Sequence, residues 1–388
     1  MLDEPDLMIP GPVPLEAEIR DAMCNDVISH RSEAFKRVYR DCQRDLRSVL
    51  GTDNQIAFVN GSGTASMEAA VSNVVGNDDT VLCIKSGKFG RRFEMIAERY
   101  TDDLRTISVE WGQPVDLDEI ETALGPEVSV VTMVHTDTSS GLTNPIEEVG
   151  QLAREHDAIF VVDAVTSAGS EEIRMDEWDV DVMVTASQKA IGGPPGISAV
   201  AANERARAAF APESAPYYLD LVEHFSRADE HQTPTTSGVH AFLGFRKALE
   251  VLMIEGVDTR INRLDGYARA IREGGSAMGL PPYSNPDTHS NFANAVVLLE
   301  VPKGLDPNTL VDGIEARGII IRTGLGNLAD STIRIGTMGA IDSSDVVRVL
   351  EALRSTLDEV RSEPSADGIS PAKTVLEGIE DRRQSDMV

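Results

Sequence analysis

Short apolar runs alternate with amphipathic stretches through the first two thirds of the chain, and no other feature restricts the fold as strongly. Ile56-Ala57-Phe58-Val59 leads into a glycine turn and then a helical pattern from Ala65 to Val71. Further strand candidates are Thr80 to Ile84, Val128 to Val134, Ala158 to Val162 and Val180 to Val184. Helix candidates Arg91 to Tyr100, Leu117 to Leu124 and Ile146 to His156 lie among them. Strands of continuous apolar residues are covered on both faces, and parallel crossovers are right-handed. A doubly wound, mostly parallel α/β domain is therefore expected. A long amphipathic helix, Gly238 to Glu255, ends this region. Beyond it, strand candidates Ala295 to Leu299, Ile319 to Ile321 and Thr332 to Ile335 accompany helix candidates Leu310 to Ala316 and Ser344 to Val360, which reads as a smaller α+β domain. The division expected is 15–250 for the large domain and 251–361, joined by 1–14, for the small one. Residues 362–388 are rich in Ser, Pro, Asp, Glu and Arg and are expected to form a solvated acidic tail.

At 388 residues, with 41% hydrophobic residues, the chain is long enough for two domains around large cores. No apolar run approaches the roughly 20 residues that a bilayer requires, so no membrane partner is expected. The start, Met1 to Asp6, is acidic and lacks the pattern of a signal peptide. Cys24, Cys42 and Cys83 are an odd, scattered set, which suits reduced thiols in a cytoplasmic protein rather than a disulfide or zinc framework.

Three segments carry chemistry. In Thr185-Ala186-Ser187-Gln188-Lys189-Ala190, a strand ends and a polar turn presents a lysine, in a chain with very few of them. Open α/β sheets bind ligands at the carboxyl edge, where a desolvated lysine can act as an amine nucleophile. The plain alternative is a surface lysine in a loop. In Ile159-Phe160-Val161-Val162-Asp163, four apolar residues end in an aspartate at the same kind of edge. A buried carboxylate needs a cation, and a pyridinium nitrogen would serve; a helix N-cap is the competing role. Asp163 and Lys189 end successive parallel strand candidates, which favours one shared crevice. The third segment, Asn60-Gly61-Ser62-Gly63-Thr64-Ala65-Ser66, joins a strand to a helix. Free N–H groups, the helix dipole and two hydroxyls suit a phosphate, although an ordinary glycine turn reads the same way. The GxGxxG spacing of a dinucleotide site is absent.

Together these segments resemble the class V aminotransferases of fold type I, in particular the serine-glyoxylate, alanine-glyoxylate and serine-pyruvate group. Further matches are Pro10-Gly11-Pro12-Val13-Pro14, Ser29 to Phe35, Gly87 to Arg92, His135 to Leu142, Arg174 to Val182, Gln232-Thr233-Pro234 and Arg334 to Gly339. The resemblance spans about residues 8 to 360 and implies a large domain on a mostly parallel seven-stranded sheet. It implies pyridoxal 5'-phosphate as cofactor and no metal, with Lys189 as the Schiff-base lysine and proton carrier and Asp163 paired with the pyridine nitrogen. Phe89 would stack on the ring, Thr138 would bond near the ring hydroxyl, and Ser62, Gly63, Thr64 and Gln188 would hold the phosphate. Thr233 would reach the phosphate of a partner subunit, which makes the expected assembly a homodimer with shared active sites. Arg334 would grip the substrate α-carboxylate. The implied reaction moves an amino group from a small amino acid, serine or alanine, to a 2-oxo acid, glyoxylate or pyruvate, in ping-pong fashion.

Several residues depart from the family pattern. Asp137 stands where relatives often have glutamate, and Phe89 where the alanine-glyoxylate branch has tryptophan. A tyrosine shortly before the partner threonine is absent around Glu230 and His231. An archaeal-type aspartate aminotransferase is the alternative within the class; it would want a second pocket arginine, for which Arg31 is the candidate. Cysteine desulfurase is excluded, since the last cysteine is Cys83 and Gln188 precedes Lys189. A binding protein of the same fold without catalysis would tend to lose Lys189, Asp163 or Arg334, and all three are present.

The charge narrows the setting. Sixty-four acidic against 35 basic residues leave a formal net charge of -29, which argues against nucleic acid as a partner. Arginine far outnumbers lysine and large aromatics are few. That balance suits a cytoplasm of molar salt, where the Debye length falls to about 3 Å and self-repulsion is screened. A halophilic archaeal source is expected. Unfolding followed at decreasing salt should show steadily lower stability; an unchanged midpoint in dilute buffer would dismiss this reading.

Overall fold

The computed structural model describes residues 6–211, 215–361 and 364–386. At its centre is a seven-stranded sheet made of β1 (Gln55–Asn60), β2 (Thr80–Lys85), β3 (Asp103–Ser108), β4 (Val128–Val134), β5 (Ile159–Asp163), β6 (Val182–Ala186) and β7 (Ile197–Ala202). The order across the sheet is β1-β7-β6-β5-β4-β2-β3. β7 pairs antiparallel with β1 and β6, and every other pairing is parallel. Six strands therefore end on one edge, the mostly parallel arrangement expected. The sequence reading missed β3 and β7 for different reasons. β3 is an edge strand carrying Asp103 and Arg105, so its apolar signal is weak. β7 is Ile-Ser-Ala-Val-Ala-Ala, fully buried but built from small residues of low strand propensity.

Helix α1 (Glu33–Leu50) starts at Ser32, whose hydroxyl accepts from the Phe35 N–H, and stops at Gly51 in the left-handed region, φ 59°. Its Phe35 and Tyr39 meet Phe58 of β1 and Phe242 of the later helix Val239–Glu255, with ring centroids 4.8–6.0 Å apart. Edge-to-face contacts of this kind lock the helices to β1. Around the same sheet lie α2 (Gly63–Val74), α3 (Lys88–Ala97), α4 (Ile146–Glu155) and the helix just mentioned, α5 (Val239–Glu255).

A second apolar core forms beyond α5. It joins α6 (Val257–Ala277), β8 (Val296–Glu300), α7 (Pro307–Glu315), β9 (Arg322–Thr323), β10 (Thr332–Gly336) and α8 (Ser343–Val360). β8, β10 and β9 form an antiparallel three-stranded sheet in that order. Met8 and Val13 enter this core, and Asp6–Leu7 pairs in parallel with Ile319–Ile320. Residues 1–5, which sequence grouped with the small domain, lie outside the described residues. α6 escaped the sequence reading because its buried positions include Arg260, Arg263 and three glycines.

The expectation of a solvated tail is corrected. Residues Ile369–Asp386 form a helix, α9, packed on α6. Ile369, Ala372, Val375 and Leu376 are buried in the second core. The backbones approach so closely that a Cβ at Gly368 would stand 2.4 Å from the Gly274 carbonyl oxygen, and one at Gly266 would stand 1.9 Å from Ile379. The polar composition hid an apolar stripe at helical spacing, 369, 372, 375, 376 and 379. Residues 362, 363, 387 and 388 of the presumed tail are outside the described set. Leu376→Ala should lower stability by about 2–5 kcal/mol, the usual cost of emptying a buried leucine site. A shift of the urea midpoint no larger than a surface substitution produces would restore the tail reading.

Candidate active site

β5 and β6 run side by side in parallel, with Asp163 opposite Val184. Their carboxyl ends deliver Asp163 and, three residues past the end of β6, Lys189 to the same edge. Ser187, buried, bonds through its hydroxyl to the Pro194 carbonyl and closes the turn that returns into β7. Arg260 of α6 is also buried; it donates to the Ala190 carbonyl at 3.0 Å while pairing with Glu255. The loop that carries Lys189 is thus held from both cores.

The Lys189 amine donates to the carbonyl of Pro10 and lies 6.0 Å from the centroid of the Phe89 ring. Burial lowers its pKa to about 8; nearby Asp163 opposes the shift and Arg334 adds to it. Asp163, 4% exposed, accepts from the Val165 N–H at 2.8 Å. Burial raises its pKa to about 6, a hydrogen bond from Val165 pulls it back, and the charge of Asp137 raises it further. Desolvation leads in both groups because each loses water on nearly all sides.

The loop after β1 comes in from the other side of β7. Ser62 sits at the N-cap of α2, and its hydroxyl makes no capping bond. A Cβ at Gly63 would stand 2.5 Å from Val165, so only glycine lets this helix start so close to the segment after Asp163. The Thr64 hydroxyl accepts from Arg92 at 3.1 Å. Gln188 stands beside Lys189 in its loop, and its buried side-chain oxygen Oε1 has no partner among the described residues. The free N–H groups of an uncapped helix start and the two hydroxyls of Ser62 and Thr64 form a polar cradle that suits a phosphate. The Phe89 ring opens α3, with the Arg92 guanidinium 4.7 Å from its centroid.

Thr138 follows β4 and is buried. Its carbonyl accepts from Arg334 at 3.4 Å, and the Arg334 Nε donates to Thr323 at 3.0 Å. Arg334 is 7% exposed, and burial lowers its pKa to about 10 against the attraction of Asp137. No carboxylate of the described residues pairs directly with this guanidinium, so its outer edge is free for an anion. Ser62, Gly63, Thr64, Phe89, Thr138, Asp163, Gln188, Lys189 and Arg334 are thus gathered on one edge. Thr233 is not among them. It is buried, and its hydroxyl bonds to the Thr235 carbonyl at 2.8 Å and the Ser237 hydroxyl at 2.6 Å. Arg31 holds that segment through Gln232, Thr233 and Pro234, so it is committed there rather than to a pocket.

Two residues central to the geometry were given no role from sequence. Asp137, fully buried, accepts from the Phe89 N–H and from the backbone and hydroxyl of Ser139. It fixes Phe89 and biases the charge of both Asp163 and Arg334. An acid just past a buried strand was the available signal, the same one that marked Asp163. Arg92 lies one helical turn after Phe89, a spacing that puts both on one face.

A desolvated lysine beside a buried aspartate, with a phosphate cradle and a free arginine on the same sheet edge, defines a Schiff-base enzyme of the α/β class. The chain belongs to the class V aminotransferase family, whose model, Aminotransferase class-V, matches residues 20–349. An aminotransferase of Methanocaldococcus jannaschii is 32% identical over 376 residues, 95% of this chain and 97% of the relative. L-aspartate-glyoxylate aminotransferase of Paracoccus denitrificans is 30% identical over 88% of each chain. The crystal structure of ureidoglycine-glyoxylate aminotransferase from Bacillus subtilis matches with a TM-score of 0.89 and 29% identity, covering 96% of this chain and 98% of that one. The protein is a pyridoxal-phosphate-dependent transaminase of fold type I. Among the described residues no helix is long and apolar enough to cross a membrane, and no cluster of metal-binding side chains occurs.

The lowered pKa has a direct consequence. Only the neutral amine attacks a carbonyl, so condensation of the apoprotein's Lys189 with a soluble aldehyde should rise with pH through a midpoint near 8. Borohydride trapping followed by mass spectrometry reads it. A midpoint near the ordinary 10.5 would show that burial does not tune this lysine.

Proposed function

We propose that this enzyme transfers the amino group of a small amino acid, serine or alanine, to glyoxylate or pyruvate. The observation that carries the reading is the pairing of Lys189 and Asp163, both desolvated, on neighbouring strand ends beside a free Arg334. Two of the relatives above are glyoxylate aminotransferases by name, which supports glyoxylate as acceptor. When bound, pyridoxal phosphate supplies the carbonyl that exchanges amino groups and a ring that draws electrons from the substrate α-carbon.

The residues of the chain do the rest. The start of α2, with Ser62, Gly63, Thr64 and Gln188, holds the phosphate. Asp163 is the buried carboxylate that keeps a ring N–H protonated, and its own hydrogen bond from Val165 keeps it ionised against desolvation. Phe89, steadied by Asp137, offers the ring face, and Thr138 bonds near the ring hydroxyl. Lys189, close to neutral in its apolar seat, is the nucleophile and carries the proton to and from the α-carbon. Arg334 takes the α-carboxylate in its planar fork, which sets the α-carbon in reach of the Lys189 amine.

We further infer a division near residue 250 into a large and a small domain, which two separate apolar cores support. A cytoplasmic homodimer in a high-salt cell completes the reading, with Thr233 reaching the phosphate of the partner subunit. That last role asks the Thr233 hydroxyl to exchange its internal bonds for the partner's phosphate.

Lys189→Ala should abolish turnover while the protein stays folded, because no other group can attack the carbonyl and carry the proton. Steady-state transamination by the purified variant would remove Lys189 from the mechanism. Arg334→Ala should reduce kcat/KM for serine and for alanine by roughly 30-fold to several thousand-fold, from about 2–5 kcal/mol for truncating a charge-assisted pair. Arg334→Lys should recover only part, since the ammonium lacks the two parallel bonds. A matrix of serine, alanine and aspartate against glyoxylate, pyruvate and 2-oxoglutarate tests the substrate assignment. No turnover with any pair would refute it.

A further inference from the structure

Glu171 is a buried acid that the chemistry above does not use. It closes the loop after Asp163, where its N–H and that of Ser170 both donate to the Ser167 carbonyl at 2.9 Å. The charges that act on its carboxylate, Asp265 and Arg272 of α6, pair with each other at 3.9 Å. Donors hold it instead. Asn294 gives its backbone N–H to one oxygen and its side-chain amide to the other, each at 2.8 Å, and Thr143 adds a hydroxyl. The same amide donates to the Ser170 carbonyl at 3.0 Å. Burial pushes the Glu171 pKa up to about 8 against the pull of these donors. A carboxylate kept dry without a bonded cation is a costly way to fill space. What it provides is a pair of acceptor oxygens that fix one partner in two directions.

That partner stands at the root of the strand pair that carries Arg334. Asn294 lies just before β8, and its carbonyl accepts from the buried Thr337 hydroxyl just after β10. The Thr337 N–H donates to the Ala295 carbonyl at 3.2 Å, and Val296 pairs with Gly336, so the two strands are closed together here. In the same register Leu298 faces Arg334. A chain of bonds therefore runs from the segment after Asp163 through Glu171, Asn294 and Thr337 to the strand of Arg334. Beside it the seam between the large sheet and the second core opens into a cavity of about 590 Å³, with Glu171, Asn294 and Arg272 in its wall. The strand pair has room to shift there if the clasp is cut.

We propose that Glu171 is a positioning residue for Arg334. Its carboxylate clasps Asn294 and so fixes the guanidinium relative to Asp163 and Lys189, which lie on the other side of the seam. The inference rests on the reading of Arg334 as the group that binds the substrate carboxylate.

Glu171→Gln keeps the volume but turns an amide N–H toward the Asn294 amide. In the holoenzyme it should raise KM for alanine about five- to tenfold and leave kcat within about threefold. Propionate, a carboxylate without the amino group, should bind more weakly by a similar factor in calorimetry. Asn294→Asp should do the same, because two carboxylates then face each other. Glu171→Gln with Asn294→Asp exchanges amide and carboxylate across the clasp and should bring KM back to within about threefold of wild type. In an Arg334→Ala background, Glu171→Gln should change neither KM nor propionate binding further. The pH midpoint for condensation of Lys189 with an aldehyde should stay where it is in the wild type. If Glu171→Gln does not fold, Asn294→Ala, which keeps the backbone bond, carries the same expectation. Unchanged KM and propionate affinity, a loss that adds in full to that of Arg334→Ala, or a shifted Lys189 midpoint would each overturn the proposal. If Arg334→Ala impairs binding and Glu171→Gln does not, this proposal falls alone. If Arg334→Ala is harmless, the reading beneath falls and takes the proposal with it.

Discussion

Placing an amine and a carboxylate in the same dry crevice sets the terms for the rest of this molecule. Burial works against both charged forms: it pulls Lys189 down to about 8 and pushes Asp163 up to about 6. In each case loss of water outweighs the long-range attraction between the two charges. The surroundings then divide their roles. Asp163 keeps an N–H donor from Val165, which favours its ionised form, whereas among the described residues the Lys189 amine bonds the Pro10 carbonyl and lies 6.0 Å from the centroid of the Phe89 ring. A lysine that titrates near 8 is a nucleophile at a pH where an ordinary lysine is not.

Neither core could build this site alone. The sheet supplies strand ends for Asp163 and Lys189 and a glycine that lets α2 close in. The second core supplies Arg334 on β10, Arg260 beneath the Lys189 loop, and the N-terminal segment whose Pro10 carbonyl covers the amine. Met8 and Val13 bind that segment to the second core, while a Cβ at Gly11 would come 2.8 Å from the Lys189 side chain. Chain ends and core packing are thereby coupled to the chemistry: the residues that hold the small domain together also set the polarity around the reactive amine.

Much of this was legible in sequence where a strong local pattern coincided with a single environment. β1, β2, β4, β5 and β6 are runs of branched apolar residues, and buried strands ask for them. Asp163 stood out because a charge directly after such a run is costly without a purpose, and Lys189 because a rare lysine sits in the polar turn just past a strand end. Asp137 carries the same signal, yet its role depends on Phe89 and Ser139 folding over it, which no spacing reveals. The α9 stripe and the buried arginines of α6 were hidden by polar composition, since their partners lie far along the chain. Thr233 was named by resemblance and Arg31 only as a candidate second arginine; the fold buries the first and commits the second to residues 232–234.

Sequence by itself determined the α/β class, the sheet edge and the lysine-aspartate pair, because each rests on local periodicity and on the cost of burying charge. Tertiary structure decided which arginine is tied up by protein groups and which is left without a carboxylate partner, that the last helix completes a core, and how far the lysine is desolvated. Those outcomes depend on distances between segments tens to hundreds of residues apart, and a guanidinium or an amine takes its character from whatever surrounds it in space.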